Sequence, residues 1–196
     1  MLKNKFFEIG AVAEKQEKIA EKWESKYLAS HFQKVGVLSD SLSRLPSVGE
    51  FFFLQTDTAF NAFTFVTLVA KANSIKHLFA STYSISRRVV DSLIELHDKG
   101  VIEQITLLVS ESMIKRNPLI IDNLMQQAKS RPNMTVLFAW IHAKVCLMQT
   151  SDAYFVVEGS GNWSENAHYE QYLFSNDFKH YEFRKELFTN INLKKY

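Results

Sequence analysis

The chain is poor in the residues that staple a fold or anchor it in a membrane. Its 196 residues contain one cysteine, Cys146, so no disulfide can close within the chain. Cys146 lies in the apolar run KVCLM and reads as a small core residue, not a reactive thiol. No apolar stretch approaches the roughly 20 residues that cross a bilayer, and no membrane partner is expected. The opening MLKNKFFEIGAVAEKQEK has basic residues but only a short, broken apolar run. It does not have the form of a signal peptide, and the expected location is cytoplasmic. Neither sign of charge dominates: 23 Lys and Arg face 21 Asp and Glu, a net charge of +2. That balance permits a nucleic-acid or phospholipid partner without requiring one. There is no internal repeat and no low-complexity segment. No Asp, Glu and His residues fall at metal-ligand spacing, so neither a metal nor another cofactor is expected.

What is present is apolar and patterned. The chain is 46% hydrophobic, with 16 phenylalanines for a core, and 22% charged, as in an ordinary globular protein. Residues 11–32 read as a charged amphipathic helix with Ile19, Trp23 and Tyr27 every fourth position. Its lysine and glutamate stripes lie side by side, which predicts a solvated face rather than a nucleic-acid-binding one. A linker-like patch, LSDSLSRLPSVGE, follows. The expected organisation is a helical extension over 1–48 and one domain over 49–196.

From residue 50 strands and helices alternate. EFFFLQT, SIKHLFAST and IEQITLLVS read as strands. TAFNAFTFVTLVAKA, SRRVVDSLIELHDKG and a segment near NPLIIDNLMQQAKS read as helices, Gly100 stopping the second. MTVLFAW, HAKVCLMQ, YFVVEG and EQYLFS are strands in quick succession, and DFKHYEFRKELFTNI is a last helix. The alternation predicts an α/β fold, and the short spacings after residue 134 demand antiparallel pairs. The expectation is a mixed sheet with helices on both faces.

Glycine is scarce, 6 in all, yet Gly159 and Gly161 flank Ser160 at the end of an apolar run. His142 and Lys144, spaced by one, project to one side of a strand, and the GSGN of residues 159–162 follows one hairpin later. If the two strands pair, their polar groups meet at one end of a sheet and make a small anion site. Trp140 and Trp163 flank the motif, and either can stack on a base or pack. A second His-x-Lys, His97-Asp98-Lys99, sits at a predicted helix end with no GSxN after it. It is set aside.

His142-x-Lys144, Gly159-Ser160-Gly161-Asn162 and Glu170, in that order, resemble the signature of the phospholipase D superfamily over roughly residues 50–177. The position of the family's motif Asp is Gln149 here. Asp152 is read as a hairpin-turn former. The resemblance implies metal-independent phosphodiester chemistry. His142 attacks phosphorus, Glu170 fixes its tautomer, Lys144 and Asn162 meet the nonbridging oxygens, and Ser160, Gly161 and Trp163 contribute to substrate binding. The family mechanism needs two histidines and the chain has one motif, which implies a homodimer. The expected function is a nuclease on DNA or RNA, DNA first, acting through a phosphohistidine. The other expectation is a noncatalytic phosphate- or nucleic-acid-binding or assembly protein on the same scaffold.

Overall fold

Strands β2 (Ile75–Thr82) and β3 (Ile102–Ser110) are almost continuously buried, as central parallel strands covered on both faces must be. Strand β1 (Glu50–Gln55) alternates half-buried and exposed residues, the pattern of an edge strand. The computed structural model describes residues 42, 44–56, 61–164 and 169–189. The predicted helix over 11–32 and most of the predicted extension lie outside the described residues.

Strands β4 (Met134–Ala139), β5 (Val145–Gln149), β6 (Tyr154–Gly159) and β7 (Gln171–Asn176) complete one seven-stranded sheet, ordered β1-β7-β6-β5-β2-β3-β4. The β2–β3 and β3–β4 pairs are parallel and the other four antiparallel, so the sheet is mixed as expected. Helices α1 (Phe63–Ala72), α2 (Arg87–Asp98) and α4 (Pro118–Lys129) bury their apolar residues in a core on one face. Helix α5 (Phe178–Lys185) and the 3₁₀ turn Glu186–Phe188 cover the other through Tyr181 and Phe188. Burying each large apolar side chain stabilises the fold by roughly 1.5–3 kcal/mol.

Local signals set the boundaries. Ser86 caps α2, accepting from Val89 N at 3.4 Å, and Gly100 ends it at φ +69°, where a Cβ would be strained. Pro118 opens α4 and Asp177 caps α5, accepting from His180 N at 2.7 Å. Two expectations are corrected. A short helix α3 (Ser112–Arg116) follows β3, too brief to leave a periodic signal. HAKVCLMQ is a strand only from Val145. Before Val145 the β2 side of the ladder gives way to a side chain: the Ser81 hydroxyl donates to Ala143 O at 3.2 Å and accepts from Val145 N at 3.1 Å. Among the described residues, no helix is long and apolar enough to cross a membrane.

Candidate active site

One end of the sheet collects the polar groups. The register Ser81↔Val145 puts the start of β5 beside the C-terminal end of β2. Val145↔Glu158 and Gly159↔Tyr172 then line up the start of β5, the end of β6 and the start of β7. The residues just outside these strands therefore share one edge: His142 and Lys144 before β5, Ser160–Asn162 after β6, and Glu170 before β7. Gln55↔Gln171 adds the end of β1, where Thr56 N donates to Glu170 O at 2.8 Å and Thr56 Oγ1 accepts from Glu170 N at 3.0 Å. Glu170 is thus clamped through its backbone.

His142 is exposed, Lys144 half-buried. Lys144 Nζ donates to the His142 carbonyl at 3.0 Å and stands 2.9 Å from Nδ1 and 3.4 Å from Nε2. An ammonium only donates, so the ring nitrogen it faces is the acceptor. Burial holds the Lys144 ammonium below the ordinary lysine range, and the Glu170 carboxylate partly restores it. Lys144 and Glu170 thus sense each other's charge across the site.

Glu170 has a partner the sequence did not suggest. Its carboxylate accepts from Ser160 Oγ, which also accepts from Gln171 N at 3.0 Å, while Ser160 N donates to Gln171 O at 3.0 Å. The expected Glu170 contact with His142 is not the one formed within this chain. The register places β6's end between the two, so Ser160 meets the carboxylate first. Gly159 has a packing reason to be a glycine. A Cβ there would lie 2.1 Å from the Gln171 carbonyl oxygen and 2.8 Å from the Tyr172 ring, so the glycine lets β6 and β7 close. Gly161 is buried, and Asn162 follows it half-buried, its carbonyl accepting from Ala62 N at 3.4 Å.

Trp163 is corrected as well. It is 1% exposed, edge-on to Phe63 at 5.2 Å, and its backbone is tied to Ser84 and Ser86, so its ring is core and out of a substrate's reach. Trp140, 81% exposed, and Tyr169, 75% exposed, are the accessible aromatics next to the motif residues. Asp152 sits in the β5–β6 turn, accepting from Thr150 Oγ1 at 3.2 Å and Ser151 Oγ at 3.1 Å, at the far end of the hairpin from His142. Cys146 is buried and its thiol is pushed up by that burial. His168 lies outside the described residues.

The sequence reading missed Tyr83 and Arg116. The Tyr83 ring lies 4.7 Å from the His142 ring, tilted by 50°, and the Arg116 guanidinium lies 4.3 Å over Tyr83. Both follow the C-terminal ends of parallel strands, the position where open α/β sheets place ligands, and that rule was the available signal. Among the described residues, no group of three or more His, Cys, Asp or Glu is placed to hold a metal ion.

Comparison with solved structures identifies the scaffold. Polyphosphate kinase from Porphyromonas gingivalis superposes at a TM-score of 0.53 with 11% identity, over 71% of this chain and 25% of that one. Phosphatidylserine synthase from Haemophilus influenzae Rd KW20 superposes at 0.50 with 11% identity, over 75% and 39%. The chain has the phospholipase D-like fold. It spans well under half the length of either neighbour. No family model and no curated protein matches the sequence.

Proposed function

We propose that this chain is a metal-independent phosphodiesterase, a homodimeric nuclease on DNA or RNA that works through a phosphohistidine. The observation that carries the reading is the joint placement of an exposed His142, Lys144, Ser160 and Glu170 at one sheet end. They come from the ends of three strands, β5, β6 and β7, which the register lines up at one edge.

The chemistry runs as follows. A substrate phosphate competes for the Lys144 ammonium and draws it from the imidazole to the nonbridging oxygens, with Asn162 assisting. That frees the lone pair of His142 in step with substrate arrival. The ring nitrogen attacks phosphorus, an N–P bond forms and one ester P–O bond breaks. His142 of a second copy protonates the leaving alkoxide. The same group then takes a proton from water, whose oxygen attacks phosphorus and breaks the N–P bond. The charge on the phosphate is met by lysine ammonium groups from both copies, which is why two-fold symmetry suits a chain with one motif. The exposed Trp140 and Tyr169 beside the site support a nucleic-acid substrate, because bases stack on accessible aromatics.

The test is an assay of the wild type and His142→Ala on single- and double-stranded DNA and on RNA, in excess EDTA, with light scattering for mass. EDTA-resistant cleavage by a dimer, lost in His142→Ala, is expected. A monomer at micromolar concentration, or activity that EDTA abolishes and magnesium restores, contradicts the reading. Binding without cleavage supports the noncatalytic role instead.

A further inference from the structure

Of the chain's six arginines, Arg44 is matched to Glu50, Arg87 to Asp91, Arg131 to Asp98 and Arg184 to Glu158 among the described residues, and Arg88 also has a partner. Arg116 is held differently. Its Nη2 donates to the Tyr83 carbonyl at 3.2 Å and to Ser112 Oγ at 3.2 Å, and its guanidinium stacks 4.3 Å over the Tyr83 ring. All three partners are neutral, and no carboxylate pairs with it among the described residues.

Ordering a long, exposed side chain costs rotamer entropy, and neutral partners leave its charge uncompensated. The result is an aimed cation with donors to spare, in the fork geometry that fits phosphate oxygens. Its place gives that cation a use. One aromatic ring separates it from the nucleophile, because the other side of the contact chain is the Tyr83–His142 packing at 4.7 Å. Lys144 touches the imidazole directly and serves the reacting phosphate. Arg116 stands a step further along the same sheet end, past the C-terminus of β3.

We propose that Arg116, set by Tyr83 and Ser112, is a second phosphate subsite that takes the phosphate next to the one being attacked. The preferred substrate is then a strand of linked phosphodiesters, because an isolated diester has no second anion to offer. This rests on His142 being the phosphodiesterase centre, and it adds the residue that selects a nucleic-acid strand over an isolated diester.

The test compares wild type, Arg116→Gln, Arg116→Lys and the control Arg87→Gln on a single-stranded oligonucleotide and on bis(p-nitrophenyl) phosphate. Oligonucleotide affinity is also measured across salt by fluorescence anisotropy. For Arg116→Gln, kcat/KM on the oligonucleotide falls about tenfold further than on the small diester, through KM. Its log–log salt slope is shallower by about 1, the mark of one lost phosphate contact. Arg116→Lys recovers the slope and Arg87→Gln keeps it. Equal losses on both substrates would assign Arg116 to holding Tyr83 and overturn the subsite, as would an unchanged slope. If the wild type hydrolyses neither substrate, the hydrolase reading fails, and the salt slope alone still decides for or against the subsite.

Discussion

The same three-letter pattern occurs twice in this chain with opposite fates. His97-Asp98-Lys99 closes helix α2, and every polar group in it is spent on structure. His97 is 9% exposed, with Nδ1 2.8 Å from the Ile102 carbonyl and Nε2 3.0 Å from Asn133 Oδ1. Asp98 pairs with Arg131 at 2.6 Å, which holds its carboxyl below the usual range, and Lys99 pairs with Glu95 at 2.9 Å. His142-Ala143-Lys144 is the reverse. Its imidazole is exposed, its lysine leans on the ring itself, and its carboxylate neighbour Glu170 is held by a serine. A motif becomes a site where the fold leaves its hydrogen-bonding capacity unspent, and it becomes a strut where the fold uses all of it.

The contrast predicts a double dissociation. His142→Ala removes turnover by about 10³-fold or more and leaves stability within about 0.5 kcal/mol, the range for an exposed side chain. His97→Ala orphans the Ile102 carbonyl in a buried corner and costs about 1–3 kcal/mol, while each folded molecule keeps its turnover. Chemical denaturation paired with the diester assay measures both. A stable, inactive His97→Ala would make the helix-end motif part of the site.

Glu170→Gln tests the carboxylate at the same edge. The amide keeps the shape and one acceptor but removes the charge facing Lys144, and turnover is expected to fall on the order of 10²-fold with folding intact. Wild-type rates from this variant would reduce Glu170 to a partner for Ser160.

Lys144 carries the pH prediction. In the proposed mechanism its charged form is the active one, and burial moves its loss of a proton below that of an ordinary lysine. Turnover therefore declines on the alkaline side, where free lysine would still be charged. Lys144→Arg, which stays protonated, moves that decline to higher pH in a pH–rate series. An alkaline limb unmoved by the substitution assigns the decline to another group.

Much of the fold was readable because period and punctuation agreed. Buried apolar runs marked β2 and β3, Gly100 and Ser86 bounded α2, and the mixed sheet with two helical layers followed from the spacing. The candidate site residues were readable as a set because their order along the chain is itself a pattern. Their contacts were not, since contacts depend on register. Gly159↔Tyr172 decides that Ser160 meets Glu170 and that Gly159 must lack a Cβ. Trp163 was misplaced for the same reason: nothing local says that a residue one step past the motif bridges to Ile85 and turns inward. Arg116 stands on a five-residue helix with no sequence signature, and only the sheet brings it to His142 through Tyr83.

The smallest effect is expected at the closed end of the same hairpin. Asp152→Ala loses the acceptor for Thr150 and Ser151 and costs about 1 kcal/mol or less, with turnover preserved. A thermal melt with an activity assay distinguishes this from a catalytic loss, which would transfer the missing motif aspartate to Asp152.

The account stands or falls on the bond that His142 makes. Rapid quench of the wild type with a phosphodiester substrate, kept at alkaline pH to protect an N–P bond and followed by peptide mass spectrometry, is predicted to find the phosphoryl adduct on His142. The adduct is absent in His142→Ala and accumulates when the second-step water is outrun by substrate. An adduct on any other residue, or product formed in a single turnover with no adduct at all, would contradict it.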